Sequence, residues 1–68
     1  MFSGTVKFFS SEKGFGFISP DAGGVDLFVH VSAVELAGLG LLTQGERICY
    51  RPTADRRGRY AATELRRG

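Results

Sequence analysis

From Lys13 to Ile18 the chain alternates with period two: Lys13, Phe15 and Phe17 fall on one side, Gly14, Gly16 and Ile18 on the other. From Leu27 to Val31 it does so again, with Phe28 and His30 on one side and Leu27, Val29 and Val31 on the opposite one. Period two is the pattern of a β-strand, whose successive side chains point to opposite faces of a sheet. Both faces of both strands are largely apolar, and a chain of 68 residues is too small to bury them all. The face carrying Lys13 and His30 is the one expected to meet water. Three phenylalanines then stand in solvent beside positive charge, the pattern of a binding surface. The converse arrangement, with the rings inside and Ile18 and Val29 outside, would carry Lys13 and His30 into the core and is rejected on that ground.

The rest of the chain reads as short strands separated by turn residues. Residues 4–9 form the first strand, and 10–14 a polar turn in which Gly14 can take a positive φ. The second strand covers 15–19, a turn 20–24, and the third strand 25–31. Ser32-Ala33-Val34-Glu35 matches a capping box and predicts a helical turn beginning at Ser32. A loop rich in Leu and Gly over 36–45 leads to a fourth strand over 46–51, which Pro52 ends or marks as an edge. A turn over 55–58 and a fifth strand over 59–65 follow, with 66–68 as a frayed tail. The expected fold is all-β, one domain over 1–68. It is a small five-stranded antiparallel barrel with one short helical turn after the third strand, closed so that no sheet edge is left open. Val6, Ile18, Leu27, Val29, Ile48, Tyr50 and Leu65 are the expected core.

Charge sharpens the picture. Residues 1–46 carry Lys7 and Lys13 against Glu12, Asp21, Asp26, Glu35 and Glu46, a net −3, whereas residues 47–68 carry seven arginines against Asp55 and Glu64, a net +5. A basic last third suits a polyanionic partner. One cysteine excludes an intramolecular disulfide framework, and one Cys with one His cannot build a structural zinc site, so neither metal nor cofactor is expected. Cys49 reads as an ordinary strand residue, and the lack of disulfides is compatible with a reducing cytoplasm. Residues 1–4 lack the basic and apolar regions of a secretory signal, and the most apolar run, 36–42, is far too short to cross a bilayer. Catalysis is not expected, because His30 has no sequence-adjacent nucleophile in a motif. Gly14-Phe15-Gly16 precedes a strand rather than a helix and lacks the ending of a phosphate loop. Asp21 and Asp26 offer too few oxygens for a calcium loop.

Lys13-Gly14-Phe15-Gly16-Phe17-Ile18 resembles the first ribonucleoprotein motif of the bacterial cold-shock proteins, and Leu27-Phe28-Val29-His30 resembles the second. Gly4-Thr5-Val6-Lys7-Phe8-Phe9 is similar to that family's opening strand. Ser32-Ala33-Val34 and Leu42-x-x-Gly45 also fall where the family has similar residues. The likeness spans nearly the whole chain and weakens after Arg51. It implies an OB-fold barrel that binds single-stranded RNA or DNA with little sequence preference; the expected consequence is an RNA chaperone, and the expected state is a monomer. Exchange of strands between two copies is the route by which so small a barrel would dimerise. The resemblance places bases on Phe15, Phe17, Phe28 and His30, with Phe8 and Phe9 extending the platform. Lys7 and Lys13 are the expected phosphate contacts, and Arg56, Arg57 and Arg59 add attraction at longer range.

The physical basis stands beside the resemblance. A phenyl ring offers any base a flat partner worth about 1–3 kcal/mol per stack, and every base has a π-face. The chain departs from the family at Phe8 (usually Trp), Val31 (usually Phe), Leu39 (often aromatic) and Ser10 (usually Asn), so binding weaker, or over a shorter footprint, than is usual for the family is expected. Strict alternation would turn Phe8 inward beside Val6, so its place on the platform requires an irregularity in the first strand. The rival reading is an OB-type barrel with weakened nucleic-acid binding, used for dimerisation or for docking a protein partner through an apolar surface of Val31, Leu39, Leu41 and Leu42.

Overall fold

The computed structural model describes residues 1–54 and 56–68. The chain forms β1 (Phe2–Ser10), β2 (Phe15–Pro20), β3 (Leu27–His30), α1 (Val31–Leu36), β4 (Arg47–Ala54) and β5 (Tyr60–Arg67). The strands close a barrel in the order β1-β2-β3-β5-β4, with β4 returning to β1. Four pairings are antiparallel as expected; the fifth, between β3 and β5, is parallel, with Phe28 opposite Ala61.

Inside the barrel lie Val6, Ile18, Val29, Val34, Leu42, Ile48, Tyr50, Ala62 and Leu65. Six of the seven expected core residues are among them; Leu27 is half-buried and packs against the cluster from outside. Burying one such aliphatic side chain contributes about 1.5–3 kcal/mol, so a core this small depends on nearly every member. Val34 is the one buried residue of α1, which packs its single apolar side onto the barrel. Leu42 caps the cluster from a loop in which no periodicity marks it.

Two strands carry an extra residue. In β1 the register passes from Val6 opposite Ile18 to Phe8 opposite Phe17, leaving Lys7 without a partner on β2. Such a bulge shifts the alternation by one residue, so Val6 points inward and Phe8 outward. In β5, Glu64 and Leu65 together face Tyr50, since Cys49 pairs with Arg66 and Arg51 with Thr63. Glu64 adopts a left-handed φ of 49° there.

Several boundaries differ from the sequence reading. β3 is shorter than expected: Val25 is exposed, and Val31 begins the helix. The helix cap is His30 rather than Ser32. The backbone of His30 is still extended (φ −91°, ψ 149°), and its ring accepts a hydrogen bond from the Ser32 N–H. β4 runs on through Pro52, which is tolerated because β1 pairs only as far as Tyr50 and demands no N–H from Pro52.

The frayed tail is also corrected. Arg66 and Arg67 belong to β5, the Arg67 side chain grips Glu46 Oε2 at 2.7 Å, and the Gly68 N–H donates to the Arg47 carbonyl. Arg67 also donates to the Leu39 and Leu41 carbonyls, so the chain end pins the loop before β4. Gly58 turns with φ 79° as expected, while Asp55 of the same turn lies outside the described residues.

Candidate nucleic-acid interface

The pairing of β2 with β3 sets Phe15 opposite His30 and Phe17 opposite Phe28. All four side chains project from the outer face, and the sheet's twist brings one diagonal close. Phe15 and Phe28 stack with ring centroids 5.7 Å apart and planes 20° from parallel. Phe17 meets both edge-on, at 5.9 and 6.0 Å, and His30 flanks Phe28 at 6.3 Å. The β1 bulge adds Phe8, 41% exposed, whose ring lies 6.1 Å from Phe15. Five rings from three strands therefore form one continuous outer surface.

Phe9 does not join them, against expectation. It pairs with Gly16 on the inner side of the sheet and packs against the core. Gly16 must be glycine for that reason, since a Cβ there would come within 2.8 Å of the Phe9 Cα and ring. Gly14, at φ 81°, turns the chain into β2 and accepts the Val31 N–H at 2.9 Å, which ties the turn before β2 to the start of the helix.

His30 is fixed on one side of its ring. The Ser32 N–H donates to Nδ1 at 3.1 Å, and Ser32 Oγ lies 2.9 Å from the same nitrogen. Nδ1 is therefore the acceptor, and the ring proton of the neutral form sits on Nε2, which no capping contact occupies.

Four of the cations are seen in ion pairs with carboxylates. Lys7 is held by Asp26 at 2.8 Å, Arg47 by Asp21 through both terminal guanidinium nitrogens, Arg51 by Glu64 at 3.0 Å, and Arg67 by Glu46. Arg47 hydrogen-bonds the Asp21 carboxylate and so keeps its pKa below the usual carboxylate range. Glu46 is lowered as well, first by the Thr43 N–H and then by Arg67. Lys13 is exposed in the turn before β2, and Arg56 and Arg57 are exposed in the turn before β5. Arg59 lies against the platform itself, lining a groove of about 550 Å³ with Phe17, Phe28, His30, Tyr60 and Ala61.

Tyr60 lies at this face too, beyond the residues that the sequence pattern points to. It is 60% exposed and reaches the aromatic face because β5 lies beside β3. Its aromatic character at a strand start was the only local signal.

The surface required by the docking alternative does not form. Leu42 is in the core, and Leu39 packs against the core, half-buried. Val31 is half-buried at the helix start, leaving only Leu41 of the four exposed. Among the described residues no three His, Cys, Asp or Glu side chains gather to hold a metal ion, and no helix is long and apolar enough to cross a membrane.

The sequence matches the family described as the 'Cold-shock' DNA-binding domain over residues 2–67. It is 53% identical over 66 residues to Probable cold shock protein y4cH of Sinorhizobium fredii, covering 96% of each chain. It is 52% identical over 67 residues to Cold shock protein CspA of Rhizobium meliloti, covering 97% of each. Identity to Cold shock-like protein CspE of Escherichia coli is 44% over 62 residues, covering 91% of this chain and 90% of the other. With a closed five-stranded barrel, an exposed aromatic face and near-complete coverage by these relatives, the chain belongs to the cold-shock domain family.

Proposed function

We propose that this protein binds single-stranded RNA and DNA through base stacking and serves as an RNA chaperone. The observation that carries the reading is the continuous outer cluster of Phe8, Phe15, Phe17, Phe28 and His30. Rings held in fixed relation on paired strands accept unpaired bases without first paying ordering entropy, and stacking tolerates any base. Binding the open form of a hairpin shifts its equilibrium toward opening without ATP, because the ligand-competent state is the unpaired one. Lys13, exposed in the turn before β2, contacts phosphate, Lys7 steers the strand while still held by Asp26, and Arg56, Arg57 and Arg59 supply attraction at longer range. The protein acts as a monomer in the cytoplasm, where Cys49 stays reduced.

The test is a fluorescence-anisotropy titration with short labelled oligo-dT and oligo-dA at low and moderate salt. Saturable binding, tighter for oligo-dT, is expected. No binding at low salt would reject the reading. Val31 and Leu39 stand where the family more often has aromatics, so affinity at the weak end of the family's range is consistent with it.

A further inference from the structure

The groove between β3 and β5 has two unlike walls. One is formed by Phe17, Phe28 and His30 of the platform; the other by Arg59, Tyr60 and Ala61. Parallel pairing of Phe28 with Ala61 forms its floor and sets the two walls side by side. Tyr60 is 60% exposed, although it stands at the start of a strand whose next inward residues, Ala62 and Leu65, are buried. An exposed aromatic in that position contributes nothing to the core. Its ring is also absent from the stacked network of the platform, so space remains between it and the phenylalanines.

We infer that Tyr60 forms an additional nucleobase subsite. An unpaired base enters the groove against the tyrosine ring, extending the stacking surface from β3 across the barrel closure onto β5. The occupant is single-stranded nucleic acid rather than a protein segment, because the groove is continuous with the platform and Arg59 brings positive charge to its wall. The inference rests on the nucleic-acid reading above and adds a position to it. Stacking that Val31 and Leu39 do not supply is recovered on the opposite side of the platform.

Tyrosine emission gives a direct readout. The chain has no tryptophan and two tyrosines, of which Tyr50 is 2% exposed, so quenching by a bound base reports on Tyr60. Wild type, Tyr60→Ala and Tyr60→Phe are titrated with labelled oligo-dT of increasing length, and emission is recorded with unlabelled oligonucleotide. Tyr60→Ala should bind roughly 5- to 150-fold more weakly, the equivalent of one lost stack, with an unchanged circular dichroism spectrum. Its affinity should stop rising at a shorter oligonucleotide than the wild type's. Tyr60→Phe should keep wild-type affinity while losing the quenching. Wild-type binding with an unaffected Tyr60→Ala and no quenching would overturn the subsite alone. Failure of the wild type to bind any oligonucleotide would overturn both the subsite and the function it rests on.

Discussion

Phe15 and Phe28 are diagonal neighbours on β2 and β3, and their stacked rings, 5.7 Å apart, each shield one side of the other from water. Each ring therefore has two roles: it meets a base and it holds its neighbour upright. Replacing Phe15 by Ala should weaken oligonucleotide binding and also loosen Phe28. The double variant Phe15→Ala/Phe28→Ala should lose less binding energy than the two single losses added together, by about 0.5–1.5 kcal/mol. Strict additivity in the anisotropy cycle would show that the rings act independently.

Chaperone activity should depend on the same rings. A weak RNA hairpin carrying a fluorophore and quencher should open as wild-type protein is added. With Phe15→Ala/Phe17→Ala it should stay closed, while circular dichroism shows the barrel intact. Unchanged opening by that variant would exclude stacking as the mechanism.

Salt dependence should be shallow for so arginine-rich a chain end. Lys7, Arg47, Arg51 and Arg67 each face a carboxylate, which leaves at most five of the nine cations to displace counterions. The slope of log K against log salt should be no steeper than about −3.5 for a single strand. A steeper slope would mean that the ion pairs break on binding.

The left-handed backbone at Glu64 sets up a contrast in stability. A side chain costs about 1–2 kcal/mol in that region, and the exposed pair with Arg51 returns at most about 1 kcal/mol. Glu64→Gly should therefore be neutral or slightly stabilising in urea unfolding. Glu64→Val, which adds a β-branched side chain at the same φ, should lose about 1–2 kcal/mol. Equal effects would mean that β5 shifts register to relieve the bulge.

Stability should form a plateau with two falling limbs. Asp21 and Glu46 titrate below their ordinary 3.8 and 4.5 in the folded chain, so their contribution is present above those values and is lost as pH falls through the folded ones. Tyr50 behaves oppositely: burial lifts it above 10.0, so its contribution is present below that value and is lost as pH rises through the folded one. The acid limb should be gentle, because both carboxylate pairs are exposed to solvent screening. Glu46→Gln should flatten it further, read from the denaturant midpoint across pH.

Much of this architecture is legible in the chain because it is local. The alternation of Lys13 to Ile18 and of Leu27 to Val31 assigns inner and outer faces, and Gly14 announces its turn. Phe8 was the instructive case: alternation alone turns it inward, and only the extra residue at Lys7, a product of the pairing with β2, turns it out. Other features are long-range and leave no local mark. Leu42 enters the core from an aperiodic loop, Arg67 is anchored by Glu46 across the barrel, and Tyr60 meets the platform through the β3–β5 closure. The helix cap departs from the capping-box pattern for a different reason. Ser32 has the right residue type, but His30 reaches the first free N–H from the end of a strand.

The closure of β3 against β5 makes the barrel resemble a sleeve with one seam. A single register pair, Phe28 with Ala61, joins the two sides, whereas the neighbouring strands meet along several. Breathing of the backbone should begin there, at the lowest-cost opening. An oligonucleotide laid across the groove touches both sides of that seam and cannot remain bound if they part. Amide hydrogens along β3 and β5 should then exchange more slowly in the complex than in the free protein, so a protein that loosens folded RNA is itself held shut by the strand it releases.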